Sequence, residues 1–164
     1  MLTLPKIVDR QAQPYVALRA ELPRSELAAA VDRQFGALFA GLSERGIDPA
    51  GPPFIKYDRV DMGRTLELEF GVPVAAPVTT EGEMVAGELP AGRYGVVVYE
   101  GPYDDLLDVN AVLIGWASQR GVAWDAQRTP EGDRYACRLE TYVTDPREEP
   151  DPKRWRTEVA IKVK

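Results

Sequence analysis

One short peptide is written twice in this chain, and it marks the end of a helix both times. Ser43-Glu44-Arg45-Gly46-Ile47 returns as Ser118-Gln119-Arg120-Gly121-Val122. Two further matches keep the same order at nearly constant spacing. Tyr15 opens the apolar run Val16, Ala17, Leu18, as Tyr94 opens Val96, Val97, Val98. Leu68-Glu69-Phe70-Gly71-Val72-Pro73 is echoed by Leu139-Glu140-Thr141-Tyr142-Val143-Thr144-Asp145-Pro146. This pattern fits one supersecondary unit duplicated within the chain, with pseudo-repeats over about residues 1–76 and 83–164. Duplicated halves meet along a pseudo-two-fold axis, and a cleft there is a natural binding place. Each half is expected to bring one glutamate to it, Glu69 from the first and Glu140 from the second.

Each copy reads strand, helix, strand, strand. Tyr15 to Leu22 is an apolar-rich strand ended by Pro23, and Ser25 is placed to cap the helix that follows. Leu27, Val31, Leu38 and Leu42 recur at helical spacing, Phe35 and Phe39 widen the apolar face, and Gly46 stops the helix. Phe54 to Val60, a turn at Asp61-Met62-Gly63 and Thr65 to Val74 then read as a hairpin. In the return strand Leu66, Leu68, Phe70 and Val72 share one face, and Glu67, Glu69 and Gly71 the other. After a Pro/Thr/Gly-rich link, Met84 to Leu89 and Arg93 to Glu100 form a second hairpin. Asp104 is expected to cap a helix carrying Leu106, Leu113, Trp116 and Ala117 inward, ended by Gly121. Tyr135 to Thr144 is a strand with Arg138, Glu140 and Tyr142 on one face, and the last strand starts at Trp155. The predicted class is α+β: a single domain over residues 1–164, built from a duplicated strand–helix–strand–strand unit. Two antiparallel sheets form a groove, and the helices lie on the outer faces.

The chemistry open to such a groove is narrow. The 164 residues contain no histidine and one cysteine, so Ser-His and Cys-His nucleophiles are absent, as is an intramolecular disulfide. No spaced acidic loop offers an all-oxygen metal site, and no cofactor or metal is expected. A net charge of −6 argues against nucleic acid and anionic membranes as partners. No apolar run approaches membrane-spanning length, the N-terminus has no signal-peptide core, and a free thiol fits the cytoplasm.

What remains is Glu69 and Glu140 with the aromatics Tyr57, Trp116, Tyr142 and Trp155. A carboxylate in an aromatic-lined groove suits a lipophilic cation: desolvation penalises the bare anion, a bound cation relieves it, and ring faces add about 0.5–2 kcal/mol each. Taken singly, each of these residues also has a plain structural reading, the acids on solvated faces and the rings in the core. Trp116, on the inward helix face, reads first as core. Gly101-Pro102-Tyr103 needs no role beyond a turn. Paired carboxylates could also serve as acid and base in hydrolysis.

Five motifs in order, Gly71-Val72-Pro73-Val74, Leu89-Pro90-Ala91-Gly92-Arg93-Tyr94, Gly101-Pro102-Tyr103-Asp104-Asp105-Leu106, Leu139-Glu140-Thr141-Tyr142 and Trp155-Arg156-Thr157-Glu158-Val159, resemble those of the GyrI-like, or gyrase-inhibitor-like, small-molecule-binding domain. That fold also forms the effector-binding part of AraC-type and MerR-type multidrug regulators. The resemblance implies a central glutamate that meets cationic aromatic compounds, matched by Glu140. It implies groove walls at Tyr142 and Trp155, and an acid before the Gly-Val-Pro-Val run at Glu69. Family regulators carry a helix-turn-helix domain for which this chain has no length left, so direct DNA binding is not expected. Three classes of function follow from the resemblance. The first is a stand-alone binder of lipophilic, often cationic aromatic compounds. The second is a hydrolase of cyclopropane-bearing toxins using Glu69 and Glu140. The third is a factor acting on a protein partner such as gyrase or a regulator.

Overall fold

The computed structural model describes residues 1–61 and 63–164; the expected Asp61-Met62-Gly63 turn falls partly outside the described residues. The duplicated peptide has a clear physical meaning. It ends α1 (Leu27–Arg45) and α2 (Leu106–Arg120), and both glycines adopt the left-handed conformation, Gly46 at φ 64° and Gly121 at φ 65°. The next residue reaches back into the helix. Ile47 N–H donates to the Leu42 carbonyl at 3.0 Å, and Val122 N–H to that of Ala117 at 2.9 Å. This is the six-to-one closure of a Schellman cap, which requires a residue tolerant of positive φ and favours an apolar one after it. The N-termini differ from the sequence expectation. Ser25 and Asp104 lie inside single 3-10 turns, Arg24–Glu26 and Tyr103–Asp105, and neither helix start has a side-chain cap.

The described residues form ten strands: β1 (Lys6–Arg10), β2 (Gln13–Pro23), β3 (Phe54–Val60), β4 (Thr65–Pro73), β5 (Met84–Leu89), β6 (Gly92–Glu100), β7 (Ala126–Thr129), β8 (Gly132–Tyr135), β9 (Arg138–Tyr142) and β10 (Arg156–Lys162). The expected pair of sheets is corrected to one. All strands join in a single antiparallel sheet of order β1-β6-β10-β9-β3-β4-β2-β5, with the β7–β8 hairpin attached beside β3. In the middle of the sheet β3 pairs with β9, Ile55 opposite Glu140. The expected hairpin of Met84 to Leu89 with Arg93 to Glu100 is corrected: β5 pairs with β2, and β6 with β1 and β10. The expected strand Tyr135 to Thr144 is divided: Tyr135 ends β8, Ala136 and Cys137 break the run, and β9 covers only Arg138–Tyr142.

Both helices pack on one face of the sheet. Leu38 and Leu42 of α1 meet Val16 and Val72, and Ala30 meets Leu68 and Phe70. Leu106, Val109 and Leu113 of α2 meet Val97, Val159 and Ile161. The opposite face has no helix. The sheet curls toward it as a half-barrel, so that Val8 of β1 and Val85 and Leu89 of β5 close on Tyr15, Phe54, Tyr94, Cys137 and Leu139. Alternation along each strand therefore decides which of two separate interiors a side chain enters.

Candidate functional site

Glu140 stands in the middle of the sheet, under the helices, and only 8% of it is exposed. The Tyr142 hydroxyl donates to its Oε1 at 2.6 Å. Asn110 of α2 donates through Nδ2 to its Oε2 at 3.4 Å, and the phenol of Tyr57 on β3 lies near enough to favour the anion. Burial pushes the Glu140 carboxyl up from its ordinary value; these hydrogen bonds and the charge of Arg138 act in the other direction. Burial likewise raises the phenols of Tyr57 and Tyr142 well above the usual range, so both remain neutral donors.

Arg138 is near but is held by others. Its Nη2 donates to the Asn110 Oδ1 at 3.1 Å and its Nη1 to the Tyr135 hydroxyl at 3.0 Å. Its guanidinium lies over the rings of Tyr135 at 4.9 Å and Tyr57 at 5.9 Å. Among the described residues, no ion pair includes Glu140.

A line of rings runs outward from the carboxylate. Phe35 of α1 meets Tyr142 edge-on at 6.1 Å, and Tyr103 meets it from the other side at 5.4 Å. Trp155 then lies against Tyr103 at 4.6 Å, its indole N–H donating to the Glu149 carbonyl at 2.7 Å. Phe35 comes from α1 and Tyr103 from the turn before α2, and each ring uses its neighbour as an apolar wall.

Of the six residues singled out in the sequence, the structure brings Glu140, Tyr142 and Tyr57 into contact and sets Trp155 two rings away. Trp116 packs half-buried in the α2 cluster with Leu113 and Val97, in keeping with its core reading. Glu69 is elsewhere. It projects from the helix-free face, where Tyr15 donates to it at 2.7 Å and Lys56 at 2.8 Å. The expectation of two glutamates in one cleft is thereby corrected, and strand register supplies the reason. Tyr15 faces Pro73 on β4 as Tyr94 faces Lys162 on β10. Followed along those strands, the register sets Glu69 opposite Arg19 and Glu158 opposite Val98. The counterpart of Glu69 is therefore Glu158, while Glu140 sits on a different strand of the unit.

Four participants went unrecognised in the sequence: Asn110, Arg138, Phe35 and Tyr103. A signal existed for Arg138, which shares its strand face with Glu140 and Tyr142. Tyr103 read as a turn residue, and Phe35 as plain core.

The site is thus a buried acid under aromatic rings, on the helix-covered face of a continuous sheet. The chain belongs to the GyrI-like small molecule binding domain family, whose profile matches residues 4–164. No curated protein sequence matches it. Among solved structures, it is similar to the EcmrR chain of an EcmrR–DNA complex, with a TM-score of 0.79 and 17% identity. That likeness spans 99% of this chain and 57% of the other. The EcmrR C-terminal domain matches at TM-score 0.70 and 17% identity, over 98% of this chain and 96% of that one. SAV2435 bound to tetraphenylphosphonium matches at 0.67 and 10%, over 98% and 93%. A hydrolase from Listeria innocua matches at 0.59 and 13%, over 98% and 91%. At such identities the likeness concerns the fold.

Proposed function

We propose that this chain captures lipophilic aromatic cations in the groove between α1 and α2, with Glu140 as the counter-charge and Tyr57, Tyr103, Tyr142 and Trp155 as walls. The observation that carries this reading is a buried carboxylate whose hydrogen-bond donors are all neutral. Such a group lacks the ionic partner that burial of a charge ordinarily demands. A delocalised cation among the rings supplies that partner at small desolvation cost, and the ring faces attract it. Because the rings now rest on one another, a ligand enters by parting Tyr103 and Trp155 from Tyr142. That a protein of this fold holds tetraphenylphosphonium supports the choice of ligand class.

Hydrolysis is the second reading, and a named hydrolase of the same fold favours it. Its two-carboxylate form is weakened by the placement of Glu69 and Glu140 on opposite sheet faces. Glu140 would have to act alone, with Tyr57 or Tyr142 as proton donor.

The test is a titration with tetraphenylphosphonium and with neutral tetraphenylsilane, which keeps the four phenyl rings without the charge. We expect the cation to bind more tightly by about tenfold or more, on the order of 1.4 kcal/mol. Equal affinities would remove the counter-charge role, and turnover of a cyclopropane-bearing substrate that Glu140→Gln abolishes would move the assignment to the hydrolase.

A further inference from the structure

Beside Glu140, which lacks an ion-pair partner among the described residues, the same sheet face holds a polar group that lacks a hydrogen-bond partner. Thr157 on β10 is fully buried, and its hydroxyl has no hydrogen-bond partner among the described residues. It pairs with Tyr142 on β9 and Tyr99 on β6, so its side chain rises from the helix-covered face of the sheet. The next residue on that face, Val159, lies opposite Glu140. Thr157 is thus one strand repeat, about 7 Å, along the groove from the carboxylate's row. Tyr142, which binds Glu140 by its hydroxyl, lies directly beside Thr157. Tyr99, Tyr103 and Tyr142 all pack in the cluster that Leu106 and Val109 of α2 roof over.

A buried hydroxyl without a partner loses its bonds to water and receives nothing in return. Strand geometry does not call for it. Valine has the same branching, favours strands as well, and would fill this position without the desolvated oxygen. What the hydroxyl adds is a polar contact in an otherwise apolar wall, and such contacts set orientation and selectivity in apolar pockets.

Resting on the ligand class proposed above, we infer that Thr157 is a second polar anchor of the groove. The preferred ligands are accordingly aromatic cations that carry a hydrogen-bonding group, such as an amine N–H or an ester carbonyl, about 7 Å from the charge. Glu140 answers the charge, and Thr157 reads the second group. A cation without that group binds by Glu140 and the rings alone.

The experiment pairs two probes with two variants. Tetraphenylphosphonium has no hydrogen-bonding group; rhodamine 6G has secondary amines and an ester on a rigid aromatic cation. Each is titrated into wild type, Thr157→Val and Thr157→Ser, and the thermal midpoint of each protein is recorded. We expect Thr157→Val to bind rhodamine 6G about tenfold more weakly. Its affinity for tetraphenylphosphonium should stay within about twofold of wild type, and its thermal midpoint should rise because the orphaned hydroxyl is gone. Thr157→Ser should restore rhodamine binding. The inference is overturned if Thr157→Val leaves both affinities unchanged, lowers them equally, or lowers the midpoint. Wild type that takes tetraphenylphosphonium but not rhodamine 6G overturns it too, leaving the capture of lipophilic cations in place. Failure of both probes on wild type removes both.

Discussion

Glu69 and Glu140 follow the same leucine, are both buried, and live in opposite electrostatic circumstances. Glu69 lies in the half-barrel with its cation built in. Lys56 donates to it at 2.8 Å and also binds Asp58, while the Tyr15 hydroxyl takes its other oxygen at 2.7 Å. Burial works against the Glu69 anion, but hydrogen bonds from Asp58, Lys56 and Tyr15 outweigh it and hold its carboxyl down to about 2. Glu140 lies across the sheet with tyrosine and asparagine donors and a carboxyl raised by burial. On the proposed function, the difference separates a structural acid from a binding acid in one fold. An acid whose charge the chain neutralises serves stability; one whose charge it leaves open is ready for a ligand.

The largest effect that sharpens this contrast comes from removing the built-in cation. Lys56→Met should destabilise the fold by about 3–5 kcal/mol, because the buried Glu69 carboxylate loses its cation and half-buried Asp58 loses its partner. Urea denaturation measures it, and tetraphenylphosphonium should still bind the folded fraction. A loss below about 1 kcal/mol would mean that the Glu69 cluster is no more dependent on an internal cation than Glu140 is.

A smaller effect follows from the proton that the cluster retains. Burial, with the hydrogen bond to Glu69, pushes the Asp58 carboxyl up to about 7 from 3.8. The folded state thus keeps a proton that the unfolded chain releases, and the associated stability is complete below the unfolded value. It is lost as pH rises through about 7. Between the ordinary carboxylate range and pH 7 the stability should fall by on the order of 2 kcal/mol, and Asp58→Asn should flatten the curve. Denaturation midpoints at several pH values decide it; equal slopes in both proteins would place the proton elsewhere.

Local chemistry in the sequence announced the helices, their glycine stops and the alternation of the long strands. It gave the β3–β4 hairpin, wrongly joined β5 to β6, and did not show how the remaining strands pair. One sheet rather than two follows from β3 meeting β9, a long-range choice that periodicity within either segment does not encode. The pairing of β1 with β6 and of β5 with β2 is equally non-local. The polar hairpin β7–β8 has no apolar alternation by which to be recognised. Within the site, Glu140, Tyr142 and Tyr57 were legible because alternation put two of them on one strand face and the third on a neighbouring strand. Asn110 and Phe35 come from helices whose approach to the sheet had to be seen. Glu69 misled because the Leu-Glu dipeptide occurs on β4 and β9, strands that are not equivalent.

The most direct trial of the central claim is a tetraphenylphosphonium titration of wild type, Glu140→Gln and Glu69→Gln, with the folded fraction of each checked by circular dichroism. The account predicts that Glu140→Gln loses about a hundredfold or more in affinity, on the order of 3 kcal/mol, while folded Glu69→Gln binds as wild type does. Retained affinity in Glu140→Gln, or an equal loss in both variants, would contradict it.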